Sequence, residues 1–211
     1  MDKNITLIAI GPVPPALLSW LAERLAKAVG QKVVIGEEVA LPASGYNARR
    51  HQYHGDALLA MLRTLRYPET GQVVGLTEAD CYAPGLNFVF GQAQVSGREA
   101  FVALPRLQQS FYGLPDEPVL FRERVLKEVI HELGHSWGLA HCPNVYCVMH
   151  FSNTLRDTDV KEATFCPRCR DRLDWEQKQD QRQDCSGFKG NRGNAIWDWT
   201  GTEDGLGDEF C

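Results

Sequence analysis

The stretch from His131 to Met149 constrains this chain more than any other. It carries His131, Glu132, His135, Gly138 and His141 in the spacing HExxHxxGxxH. Residues four apart lie on one face of a helix, so His131 and His135 can point two imidazoles at one metal ion. Glu132, one residue along, is placed to miss the metal yet reach a water bound to it. The helix must then stop, because a third ligand has to arrive from another direction. Gly138 suits that stop, since glycine takes the left-handed conformation at a helix C-terminus without steric cost. The turned chain can bring His141 back to the metal. Three protein ligands leave a fourth position open, which is what a catalytic zinc needs. At roughly 5% usage per residue type, five fixed positions match by chance in a chain this long on the order of once in ten thousand. The bland alternative is a helix whose surface histidines bind nothing. The glycine and the third histidine, both at the right offsets, weigh against it.

A second metal site follows at once. Cys142 and Cys147 are succeeded by Cys166 and Cys169, the last two in a Cys-x-x-Cys knuckle. Four cysteines in two closely spaced pairs fit a closed tetrahedral zinc site, structural rather than catalytic. Two disulfides are the alternative, and they need an oxidising compartment. A thioredoxin-like redox pair at Cys166 and Cys169 would want a βαβ context that is missing there. His141 and Cys142 are neighbours, so adjacent side chains would serve different metals. The second zinc would clamp the segment that carries the third ligand of the first.

The run HExxHxxGxxHC, four residues, Cys-x-Met, a spacer and CxxC resembles the archaemetzincin family. These are small metzincin-like metallopeptidases with a second, cysteine-bound zinc. Gly75-Leu76-Thr77-Glu78-Ala79-Asp80, Asn87-Phe88-Val89-Phe90-Gly91-Gln92-Ala93 and Phe111-Tyr112-Gly113 are similar too, so the resemblance runs from near the N-terminus to about residue 180. It implies an α/β (α+β) metzincin-like catalytic domain: a mixed twisted sheet, an active-site helix, and a four-cysteine zinc knuckle in the C-terminal part. It implies two zinc ions per chain. His131, His135 and His141 would hold the catalytic one and Cys142, Cys147, Cys166 and Cys169 the structural one. Glu132 would be the general base and Met149 the Met-turn methionine. It also implies a strand along the cleft that pairs with an extended substrate, with residues 86 to 94 as the candidate; the alternative is an interior strand.

The rest of the chain can be taken in order. Ile5 to Ile10 suggests a buried first strand. Leu17, Leu18, Leu21, Leu25 and Val29 follow helical spacing up to Gly30, and Val33 to Ile35 suggests a strand. Strand, helix, strand is a βαβ opening and favours a sheet with a covered face. Residues 41 to 55 suggest a loop. His51 and His54 lie in it, but no third ligand is near. A helix is expected from Asp56 to Tyr67, ahead of Pro68. Strands are expected over 72–76, 86–95, with Gly91 as a bulge or bend, and 101–104. Cys81 suits a small buried position. Asp116 is the expected N-cap of a helix from about Val119 to Trp137, with Pro118 in its first turn. Tyr112 suits packing, with an oxyanion contact as the sharper alternative. Residues 170 to 183 are charged and expected to be helical. The domain is expected to span 1–183, with subdomains 1–138 and 139–183. A glycine-rich, acidic tail follows over 184–211, and folding over the cleft through its carboxylates or Cys211 is one expectation for it.

Composition sets outer limits. A net charge of -5 argues against a nucleic-acid binder. Seven cysteines cannot all pair internally, and metal binding in a reducing compartment accounts for four of them better. The apolar run at Ile5 to Ile10 is too short for a membrane span or a signal peptide. A cytoplasmic monomer is therefore expected, with a peptide or protein substrate and neither nucleic-acid nor membrane partners. The expected reaction is peptide-bond hydrolysis by a zinc-bound water, with Glu132 as base. The rivals are a scaffold that uses both zincs structurally, which would have no need of Glu132, and a zinc hydrolase of a non-peptide amide.

Overall fold

The computed structural model describes residues 4–67 and 70–173. The expectations for the tail, Cys211 included, and for most of the 170–183 helix lie outside these residues.

Strand β1 (Asn4–Ala9) leads through helix α1 (Pro15–Val29) to β2 (Val33–Ile35), which lies parallel to β1. Gly30 closes α1 at φ 70°, the left-handed cap expected of a glycine there. The stretch expected as a loop contains β3 (Tyr46–Asn47) and β4 (Gln52–His54). Both are only two or three residues long, too short to show a period of two. They join β6 (Cys81–Tyr82) in a small sheet of order β3-β4-β6. Helix α2 (Gly55–Thr64) ends at Thr64 rather than Tyr67. Leu65 is already extended, and Pro68 disfavours helical backbone just before it.

β5 (Thr70–Thr77), β7 (Gly91–Ala93) and β8 (Glu99–Ala103) complete a five-stranded sheet of order β2-β1-β5-β8-β7. Its strands are parallel except β7, which runs antiparallel on the edge. The strand expected over 86–95 shrinks to those three residues, and Leu86 to Phe90 stay outside it. Alternation decides which face each side chain covers. Ile5, Leu7, Val74, Leu76, Ala100 and Val102 pack on one face with Leu21 and Leu25 of α1. Ile8, Ile10, Val73, Phe101 and Ala103 pack on the other with Leu58 and Leu62 of α2. Burial of each large apolar side chain contributes roughly 1.5–3 kcal/mol before chain entropy is counted.

Helix α3 (Pro118–Ser136) lies on the same face as α1 and sends Val125, Val129, Ile130 and Leu133 into that core. Glu117 rather than Asp116 is its N-cap, and it makes no side-chain cap bond. Pro118 at the first helical position supplies the start signal. The short helix α4 (Leu155–Val160) begins in a Thr154/Asp157 capping box and docks on α3. Arg124, 3% exposed, grips Asp159 at 2.7 and 2.8 Å and the Leu107 carbonyl at 3.0 Å. Backbone at 167–173 is helical. Among the described residues no helix is long and apolar enough to cross a membrane.

Gly134 lets this packing close over Met149. A Cβ at Gly134 would collide with the Met149 sulfur and crowd the Phe165 ring, and Met149 is fully buried. Alanine gains about 1 kcal/mol over glycine in a helix interior, whereas overpacking costs about 1–3 kcal/mol. Gly134→Ala should therefore lower the urea midpoint by a net loss on the order of 1 kcal/mol. An unchanged or higher midpoint would show that Met149 does not impose the glycine.

Candidate metal centres and active-site cleft

α3 presents His131 and His135 one turn apart, both nearly fully buried. The helix ends at Ser136, and Gly138 turns the chain at φ 92°. Its N–H reaches the His135 carbonyl at 2.9 Å, and that of Leu139 reaches Gly134 at 2.9 Å. His141 then arrives from the turned segment, its ring against Phe151 at 4.8 Å. This is the geometry the spacing implied.

The Nδ1 atom of His131 faces the Val148 carbonyl at 2.8 Å, and that of His135 faces the Leu139 carbonyl at 2.7 Å. A carbonyl only accepts, so each Nδ1 carries the proton and each Nε2 keeps a lone pair. Those Nε2 atoms stand 3.1 Å apart, and His135 Nε2 is 3.3 Å from His141 Nε2. Two ligands on a tetrahedral zinc at 2.0–2.1 Å stand about 3.3 Å apart. The three imidazoles thus fit one zinc without rearrangement. Their protonation states agree. Burial pushes His131 well below the ordinary imidazole range and His135 down to about 4. His141 falls to about 3, through desolvation and then the neighbouring His135.

Glu132 is 2% exposed, and its Oε2 is buried without a hydrogen-bond partner. Burial pushes its carboxyl well above the ordinary range, and the Glu128 carboxylate one turn earlier pushes the same way against Lys161. Gly91 is shaped by this side chain rather than by a bulge. A Cβ there would stand 2.6 Å from Glu132 Oε1 and 2.7 Å from the Phe101 carbonyl. Met149 lies fully buried under the helix at Gly134. His150 turns its Nδ1 to the Cys142 carbonyl at 3.1 Å and takes no place among the three imidazoles.

The four cysteines also converge. The ligand atoms of this group, like those of the histidine group, lie within 4.8 Å of one another. Cys142 and Cys166 hold their sulfurs 3.8 Å apart. On a tetrahedral zinc with Zn–S near 2.3 Å the sulfurs stand about 3.8 Å apart. All four are free thiols. Burial raises the Cys147 and Cys169 thiols. Burial raises Cys166 too, but hydrogen bonds from its neighbours outweigh it and leave that thiol at about 7. The Cys142 N–H donates to the Met149 carbonyl at 2.9 Å, so the cysteine loop and the methionine segment are tied together.

A cleft of about 220 Å³ opens beside the histidines. One wall is Gly85 to Gly91, a second is Glu128, His131 and Glu132 of α3, and a third is Phe151 to Asn153. Arg50 pins the first wall through the Asn87 carbonyl at 2.8 Å, and Gln52 reaches the same carbonyl at 3.0 Å. Tyr112 is not among the lining residues; its hydroxyl donates to the Arg106 carbonyl at 3.3 Å. His51 is exposed, and His54 stands 3.8 Å from Asp56. Cys81 is fully buried in β6. The sequence reading missed the walls at 151–153 and the partners of Glu128. The one signal available was Glu128 itself, one helical turn before Glu132.

Comparison with known proteins agrees with this geometry. The pattern of Peptidase family M54 matches residues 23–175. The chain is 42% identical over 181 residues to an archaemetzincin from Thermococcus kodakarensis, covering 81% of this chain and 95% of the relative. The crystal structure of an archaemetzincin from Methanopyrus kandleri superposes with a TM-score of 0.75 at 41% identity, covering 84% of this chain and 96% of that one. A zinc-dependent peptidase from Methanocorpusculum labreanum superposes at 0.71 with 28% identity, covering 80% and 99%. With its imidazole and thiol groups both set at zinc spacing, the chain belongs to Peptidase family M54, the archaemetzincins, and is a zinc metallopeptidase.

Proposed function

We propose that this chain hydrolyses peptide bonds, with His131, His135 and His141 holding the zinc of the reaction and Glu132 acting as general base. One observation carries the reading: three converging imidazole nitrogens lie beside a buried carboxylate oxygen, Glu132 Oε2, that no other group engages. Zinc supplies Lewis acidity there, which makes a water nucleophilic at neutral pH and polarises a carbonyl. Glu132 takes a proton on Oε2 and later returns it to the leaving amine. Its buried position favours that role, because a base whose pKa is raised toward neutrality both accepts and releases a proton readily. The substrate is a peptide or protein, held extended where β7 leaves the sheet edge open beside the cleft. Cys142, Cys147, Cys166 and Cys169 hold a second, structural zinc, and Met149 packs beneath the histidines as the Met-turn. Free thiols kept for a metal suit a reducing compartment, which supports a cytoplasmic location.

Glu132→Ala should keep both zincs and lower kcat by on the order of 10² to 10⁴. Elemental analysis and steady-state kinetics on one preparation decide it. An inactive variant that has also lost a zinc would not support the assignment. Zinc per chain should fall from two to one in His131→Ala/His135→Ala with the fold retained. Cys147→Ser should lose the other zinc and lower the thermal midpoint by on the order of 10 °C or more.

The pH dependence of metal retention has a definite sign. The pKa of metal-free His135, about 4, lies below the ordinary imidazole value. Protons therefore compete with zinc only as pH falls toward that value. Dialysis at about pH 5.5, a unit below an ordinary imidazole, should leave the histidine zinc in place. Its loss already near pH 6.5 would contradict the buried, neutral imidazoles described above.

A further inference from the structure

The cleft ends in an ion pair that the chemistry above does not use. Glu128, 3% exposed, lines the cleft, and its Oε1 meets Lys161 Nζ at 2.9 Å and the Thr158 hydroxyl at 3.1 Å. The Lys161 side chain is completely buried and also points at the His150 carbonyl at 3.4 Å. Both of these contacts fall on Oε1, and neither engages Oε2. Ser152 lines the same cleft, and its hydroxyl oxygen is buried with no hydrogen-bond partner. The flanking surfaces are apolar, from Leu86, Phe88 and Phe151.

These groups decide what a bound side chain needs. Lys161 stands against Glu128 as a counter-charge and makes its nearest contact at Oε1. A carboxylate oxygen at the cleft accepts hydrogen bonds. A side chain that ends in a hydrogen-bond donor satisfies it, whereas a carboxylate meets it oxygen to oxygen. An apolar tip leaves both Oε2 and the Ser152 hydroxyl without a partner, and sites built to hydrogen-bond a substrate discriminate strongly against analogues that lack the group. The volume, about 220 Å³, is smaller than the pockets that take drug-sized ligands and suits one side chain.

We infer that Glu128 and Ser152 make this cleft a specificity pocket for a substrate side chain with an apolar stem and a hydrogen-bond-donating tip, such as glutamine, and set it against acidic side chains. The inference rests on the peptidase reading only in placing the pocket beside the reacting bond. Lys161 is a positioning residue: its ammonium meets Glu128 Oε1 and fixes the carboxylate at the cleft.

The test uses zinc-loaded protein and three peptidyl hydroxamates that differ in one side chain next to the chelating group: glutamine, glutamate and methionine. Calorimetry gives their affinities whether or not any peptide is cleaved. The glutamine compound should bind at least about tenfold tighter than the glutamate one and several-fold tighter than the methionine one. Ser152→Ala should reduce the advantage of glutamine over methionine and leave methionine binding unchanged. Glu128→Gln/Lys161→Met, which removes both charges together, should bring glutamate to within about threefold of glutamine. Equal affinities in the wild type overturn the inference, with or without the variants, and so does an undiminished preference in a folded double variant. Discriminating binding without cleavage of any peptide would instead sink the peptidase reading and leave this pocket standing.

Discussion

The structure holds the Nε2 atoms of His131 and His135 facing one another at 3.1 Å. Each ring of the His131–His135 pair is locked through its far nitrogen by a backbone carbonyl, so neither can turn its N–H inward to relieve the contact. Nor can the helix yield. α3 is packed on the sheet and on α1 along one side and is tied to α4 through Arg124 and Asp159 on another. Packing therefore sets the directions of the imidazoles, and a metal bound by such a group couples its binding to the fold. The rest of the molecule can be understood as the support that keeps three neutral imidazoles converged.

That support is shared between the two metal groups. The segment 139–149 carries His141, Cys142, Cys147 and Met149, and it gives its carbonyls at Leu139, Val148 and Met149 to His135, His131 and the Cys142 N–H. A loop so short cannot hold three inward-facing carbonyls by its own hydrophobic burial. The thiol cluster closes it at the far end, through Cys166 and Cys169, and Gly134 admits Met149 from below. Order in the thiol loop is thus a condition for the orientation of the histidines.

How much of this was legible in the sequence follows from the range over which each cue acts. The convergence of the three imidazoles was, because the helix period and one glycine fix their relative directions within eleven residues. The βαβ opening and the helices were legible for the same reason: Leu17, Leu21 and Leu25 repeat along one stripe. The small sheet of β3, β4 and β6 was not, since strands of two or three residues carry no periodicity and its β4–β6 pairing joins segments 28 residues apart, Tyr53 to Cys81. Gly91 was misread because its cause is a carboxylate forty-one positions away rather than a local bend. Lys161 gave no cue at all. A lysine after a short polar helix is ordinarily solvated, and only the tertiary fold shows it to be buried.

The contrast between Glu128 and Glu132 shows how environment divides two identical groups. They lie one turn apart on the same helix face, both almost fully buried, and both line the same cleft. Two like charges so close would ordinarily push one group to keep its proton. Lys161 and Thr158 contact Glu128, whereas Glu132 Oε2 has no hydrogen-bond partner and burial, then the neighbouring Glu128, raises its carboxyl well above the ordinary range. One carboxylate thus has an ammonium and a hydroxyl against it, and the other keeps an oxygen that no hydrogen bond engages. That division needs no difference between the two residues themselves, only a cation delivered by a separate element to one of them. It also explains why a lysine is buried here at all. Desolvating Lys161 has a cost, and the structure tolerates it because a second buried carboxylate beside Glu132 would otherwise have no counter-charge.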